Sequence, residues 1–159
     1  MTLYEIEHAV AQAFGFRRNI IIPNISWGMG LHECDLLVLT KSNFAYEIEI
    51  KRSRQDLVKD KTKKHGHESP MIKKVYFAIP EKMEKYIDLI PEKYGVFICK
   101  KIERPSGKFF VLATLKREAV TNKNHIKWKD SDRMNLLRLS YFRIWSLKKK
   151  IIDLSNHYS

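Results

Sequence analysis

Apolar residues recur at helical spacing at Ile6, Val10, Ala13 and Phe14, behind Thr2 and Glu5, which read as a capping box; Gly15 supplies a stop. Residues 19–22 form a short β-branched strand ended by Pro23, and 24–30 form a loop loosened by two glycines. The clearest hairpin follows, with strands at 33–40 and 44–51 around a Lys41-Ser42-Asn43 turn. Ser53 then caps a charged helix expected to reach about residue 64, anchored by Leu57 and Val58. Further strands are expected at 74–79, 94–99 and 109–115, the last at a sheet edge, with a short helix at 81–89. Ser131 or Asp132 caps a long final helix carrying Leu137, Tyr141, Ile144, Trp145, Ile151 and Ile152 at helical spacing. Its aromatics Tyr141, Phe142 and Trp145 are expected in the core, with Arg133, Arg138, Arg143, Lys148, Lys149 and Lys150 on the other side. The order αβββαβαββα predicts an α/β fold, a mixed sheet flanked by helices. At 159 residues it reads as one domain, with a core over about 1–115 and a helical extension over about 130–154.

Composition adds little until charge is counted. Hydrophobic residues make up 44% and charged residues 30%, and no apolar run is long enough to span a bilayer. The chain opens on a charged amphipathic segment, so neither a signal peptide nor a membrane partner is expected. Cys34 and Cys99 sit in apolar runs without CxxC spacing, which suits a reducing cytoplasm and argues against a zinc site. Thirty Lys and Arg against 18 Asp and Glu give +12 and a pI near 9.7. Such an excess attracts a polyanion through its field and through counterion release, although it also describes a merely soluble basic surface.

The candidate chemistry lies on the hairpin. Residues two apart on a strand share a face, so Glu49 and Lys51 point the same way and Glu47 joins them. If the hairpin turns about Ser42, facing positions sum to 84 and Asp35 lies opposite Glu49, at a Cβ separation of roughly 4.5–5.5 Å. Two buried carboxylates that close need a cation or a proton between them, and Mg²⁺ prefers carboxylate oxygens. Lys51 beside it can orient or deprotonate a water, or meet charge developing on a phosphate. Ile50, of opposite parity, packs under a helix. Alone, Glu49-Ile50-Lys51 is near chance, and the competing reading is an exposed cross-strand salt bridge on a solvated face.

With Asp35 on the preceding strand, the pattern resembles the PD-(D/E)XK nuclease superfamily, the restriction-endonuclease-like fold: an Asp, a hairpin, then Glu-x-Lys. Many members, including archaeal Holliday-junction resolvases, add a first-helix Glu about ten residues before a Gly-Phe. Glu5 stands ten before Gly15-Phe16, and Glu7 is the second choice. The resemblance implies Mg²⁺- or Mn²⁺-dependent phosphodiester hydrolysis, with Glu5, Asp35 and Glu49 as acids and Lys51 as the basic group. The expected metal ligands are Asp35, Glu49 and the Ile50 carbonyl. The stretch from Glu49 to Leu57, followed by Val75-Tyr76-Phe77-Ala78-Ile79-Pro80, is also similar to a bacterial MmcB-like DNA-repair group, over roughly the first 100 residues. Cys34 departs from the pattern, standing where a Pro is often found, and the superfamily includes inactive members.

Arg52, Arg54, Lys59, Lys61, Lys63 and Lys64 follow the site and would meet a nucleic-acid backbone. His65 and His67 read as ordinary loop residues, and Trp27 as a lid on the core or a wedge against a base. The expectation is a nuclease acting on DNA ahead of RNA, in repair, recombination or phage-type processing; cutting both strands of a duplex would suit a homodimer. The competitors are a non-catalytic nucleic-acid-binding module on the same fold and a protein-interaction domain.

Overall fold

The fold was described from a computed structural model, over residues 1–25, 31–60 and 69–157. The expectations for Trp27 and its loop, for Lys61, Lys63 and Lys64, and for His65 and His67 lie outside the described residues. The chain divides into two compact units, Met1–Lys127 and Trp128–Ser159.

In the first unit, helix α1 (Leu3–Phe14) opens on the capping box: the Glu5 N–H donates to Thr2 Oγ1 at 3.2 Å, and the Thr2 N–H donates to Glu5 Oε2 at 2.6 Å. Gly15, at φ 73°, closes it. Six strands follow, β1 (Ile20–Ile25), β2 (Cys34–Leu39), β3 (Ala45–Ile50), β4 (Ile72–Pro80), β5 (Gly95–Glu103) and β6 (Phe109–Arg117). They form one sheet in sequence order. It is mixed, with β3, β4 and β5 parallel and the remaining pairs antiparallel. Helix α2 (Arg54–Asp60) lies in the β3–β4 crossover, and the expected helix at 81–89 is a 3₁₀ segment (Glu81–Leu89) between β4 and β5.

Pro23 does not end β1. It pairs with Leu36, and the strand runs on to Ile25. β1 is an edge strand, where a residue lacking its N–H is tolerated because that side meets no neighbour. Ile6, Ala9 and Val10 of α1, at i, i+3 and i+4, pack on Leu36, Val38, Ile48, Ile50, Tyr76, Ala78 and Phe97. Gly95 lets the Tyr76 ring lie close, since a Cβ there would meet that ring at 2.2 Å. In α2, Ser53 and Asp56 exchange cap hydrogen bonds, Leu57 is buried, and Val58, expected beside it in the core, is exposed.

The second unit holds one element, helix α3 (Asp130–His157), with Asp132 Oδ2 accepting from the Lys129 N–H at 2.9 Å. Tyr141, Phe142 and Trp145 are more than half exposed, which corrects the expectation of core aromatics. Helical spacing aligns a face, but that face becomes core only if a second element covers it, and this unit contains none among the described residues. No helix among the described residues is long and apolar enough to cross a membrane.

Candidate active site

Strand parity divides β3 into two faces. Ile48 and Ile50 join the α1 core, and Glu47, Glu49 and Lys51 point to the opposite side. The second face is buried too, with Glu47 at 0%, Glu49 at 2% and Lys51 at 7% exposure. The hairpin register is the expected one: Leu36 faces Ile48, Leu37 faces Glu47 and Leu39 faces Ala45. The ladder ends at Leu36 and Ile48, and the same register carried one step further would set Asp35 opposite Glu49. There Asp35 Oδ2 accepts the Ile50 N–H at 2.7 Å, closing the end of the hairpin. Lys51 Nζ donates to Glu49 Oε2 at 2.5 Å, its N–H donates to the Ala78 carbonyl, and its ammonium lies 5.9 Å from the centre of the Phe77 ring. This pair joins residues two apart on one strand and is buried, unlike the exposed cross-strand bridge of the competing reading.

Burial pushes the Glu49 carboxyl up from its ordinary range; Lys51 pulls it back, and the negative charges of Asp35 and Glu47 push it up again. Glu7 is also raised, first by burial and then by the charge of Asp35. Its Oε1 is buried and has no hydrogen-bond partner among the described residues.

Glu5 stands elsewhere. Residues two apart on a helix are about 200° apart around its axis. Glu5 accordingly shares a groove with Tyr4, His8, Gln12 and Phe109 of β6, and its carboxylate is held below the ordinary range first by the Thr2 N–H. Of the two candidate helix acids, Glu7 is the one whose carboxyl is raised by the charge of Asp35.

Sequence reasoning missed His32. Its Nε2 stands 3.0 Å from both oxygens of Glu47, the acid expected on the same face as Glu49 and Lys51. This contact joins the approach to β2 with the centre of β3, and no spacing rule connects positions 32 and 47. Arg52, Arg54 and Lys59 are exposed, with the Arg54 guanidinium 6.0 Å from the centre of the Tyr86 ring.

No group of three or more His, Cys, Asp and Glu poised to hold a metal ion occurs among the described residues. Asp35 commits one oxygen to the Ile50 N–H and Glu49 commits one to Lys51. Yet the donors are the hard oxygens that Mg²⁺ and Mn²⁺ select, and the unpartnered Glu7 Oε1 is a buried acceptor that a cation would satisfy. The chemistry of the donor set fits such an ion.

No family model matches the chain, and no curated protein matches it. Among solved structures, it is similar to SPO1766, a protein of unknown function from Silicibacter pomeroyi. The TM-score is 0.63 at 18% identity, over 90% of this chain and 88% of that one. That likeness supports an α/β fold with a six-stranded mixed sheet flanked by helices.

Proposed function

We propose that the chain is a metal-dependent nuclease of the PD-(D/E)XK type, with the restriction-endonuclease-like fold, hydrolysing phosphodiester bonds of DNA. The observation that carries this reading is the buried end of β3, where Lys51 Nζ donates to Glu49 Oε2 and Asp35 Oδ2 accepts the Ile50 N–H, which brings carboxylates of two adjoining strands to one place. Like charges held near one another at a buried position favour a cation between them. Asp35, Glu49 and the Ile50 carbonyl would hold Mg²⁺ or Mn²⁺, with Glu7 as the further acid in place of Glu5. The ion, when bound, polarises the phosphoryl oxygen and lowers the pKa of a water.

The chain's own groups do the rest. Lys51, released from Glu49, orients the attacking water and offsets charge on the phosphate. The Asp35 bond to the Ile50 N–H holds the β2 carboxylate at the end of β3. Arg52, Arg54 and Lys59, exposed on and before α2, meet the flanking backbone. Repair or recombination, as in the MmcB-like group, is the setting this reading favours, with a homodimer suited to cutting both strands.

The closed Lys51–Glu49 pair favours a second reading, a non-catalytic nucleic-acid-binding module on the same fold, in which the two charges serve only each other. Incubating the protein with plasmid and single-stranded DNA under Mg²⁺, Mn²⁺ or EDTA separates the two. The nuclease reading expects metal-dependent cutting that falls by roughly 10³ in Asp35→Ala and in Lys51→Ala. Binding without metal-dependent cutting on any substrate form would sink it.

A further inference from the structure

Along α3, large side chains recur at alternating steps of three and four: Met134, Leu137, Tyr141, Ile144, Lys148 and Ile151. That spacing is a seven-residue repeat, the seam along which one helix winds on another of the same pitch. Its five apolar members are exposed, from 39% for Leu137 to 65% for Ile151, and Trp145 and Ile152 flank them at 53% and 57%. Lys148 lies within the stripe, and its ammonium stands 5.1 Å from the centre of the Trp145 ring.

Charge decides how such a stripe is covered. Lys148, Lys149 and Lys150 stand together in the second half of the helix. Two copies laid parallel would set Lys148 against itself in the seam, with all the other lysines beside it. Laid antiparallel, Met134 faces Ile151, Leu137 faces Lys148 and Tyr141 faces Ile144, each pair made twice by the two-fold. The three lysines of each copy then lie beside the uncharged Met134-Asn135-Leu136-Leu137 of the other. The two Lys148 residues are held about 16 Å apart along the helices, beyond the roughly 8 Å reach of charge in physiological salt. This register overlaps the helices from Asp130 to Ser155, nearly their whole length. The exposed stripe offers on the order of 700 Å² per copy, near the roughly 800 Å² per partner of a standard interface. A bilayer surface asks for an apolar face without a charge at its middle, and Lys148 interrupts this one. Across a helix seam its stem lies on Leu137 while its ammonium reaches water at the side.

We infer that α3 is a homodimerisation helix, which pairs antiparallel with α3 of a second copy of this chain. The pairing rests on α3 alone and not on the nuclease reading. It supplies the surface on which two copies meet, whatever chemistry the first unit performs.

The test is sedimentation equilibrium of the full chain between about 1 and 100 μM, the weak end of the affinities that interfaces of this size reach. The wild type is expected at twice its 18.9 kDa mass. Tyr141→Lys/Ile144→Lys, at exposed positions, sets lysines against each other across both central pairs and is expected to weaken the dimer by about tenfold or more. Direction is read by cysteine cross-linking under mild oxidation. Met134→Cys/Ile151→Cys is expected to give a disulfide-linked dimer and Met134→Cys alone none beyond the wild type, because antiparallel helices bring position 134 to position 151. A wild type that stays monomeric at about 100 μM overturns the inference, whether or not it binds anionic vesicles, and so does a dimer that the two lysines leave intact. Cross-linking by Met134→Cys alone overturns the antiparallel pairing. None of these measurements involves cutting, so a protein that dimerises through α3 and never cuts DNA sinks the nuclease reading and leaves the pairing standing.

Discussion

The two faces of β3 are buried to nearly the same degree and could hardly differ more in chemistry. Ile48 and Ile50 meet α1 in an apolar core, and Glu47, Glu49 and Lys51 face the other way with three charges. The apolar face stabilises the fold by removing surface from water and is indifferent to pH. The charged face must offset the desolvation of each ion, and a pair in that position contributes little net stability compared with apolar residues of the same size. A strand that carries both spends one face on folding and reserves the other for something folding does not need.

Three measurements sharpen that contrast. The largest effect is expected for Glu49→Ala, which strips the buried Lys51 ammonium of its carboxylate and costs about 3–5 kcal/mol in urea unfolding. That matches or exceeds the roughly 2–5 kcal/mol expected when Ile48→Ala leaves a cavity on the other face. Replacing both charges together, as Glu49→Leu/Lys51→Met, is expected to be near neutral or stabilising. A double variant as unstable as Glu49→Ala would show that the charged face is structural.

A smaller effect is expected on the helix side. Glu5→Ala removes half of the capping box and is expected to lower the urea midpoint at neutral pH slightly, with less loss of cutting than Glu7→Ala. Equal loss of cutting in the two variants would reinstate Glu5 as a site acid.

The smallest effect is a pH dependence. Folded Glu7 holds its proton more tightly than unfolded Glu7, so between its ordinary value of 4.5 and its raised one the native state carries more protons. Stability contributed at low pH is therefore lost as pH rises through that window. Glu7→Gln is expected to flatten this fall, by under about 1 kcal/mol for so incompletely buried a group. Urea midpoints followed from pH 4 to 8 test it, and parallel curves for the two proteins would refute the assignment.

The hairpin was legible because two local facts determine it. A period of two sorts each strand's faces, and a turn centred on Ser42 aligns them. The helix acid was not legible from periodicity. Glu5 and Glu7 flank the buried stripe of Ile6, Ala9 and Val10 about equally, one on each side, so the 3.6-residue repeat cannot choose between them. What distinguishes the two in the structure is the capping box, which closes the Glu5 carboxylate on Thr2. Pro23 misled because a proline bars only a strand with neighbours on both sides, and edge position is a property of the whole sheet. The His32–Glu47 contact arises from a chain crossing that leaves no local signature.

The turn itself bears on how this chain can change over generations. Exposed loop tips usually tolerate inserted or deleted residues, and this one, with Asn43 at φ 61°, looks like such a place. An added residue that the turn did not absorb would keep the facing sum at 84 while moving every later residue on by one, and so exchange the two faces of β3, delivering Ile48 and Ile50 to the carboxylate side and the charges to α1. A surface indel that would be silent elsewhere would here rewrite both the core and the chemistry, so the length of this turn is fixed by residues it never touches.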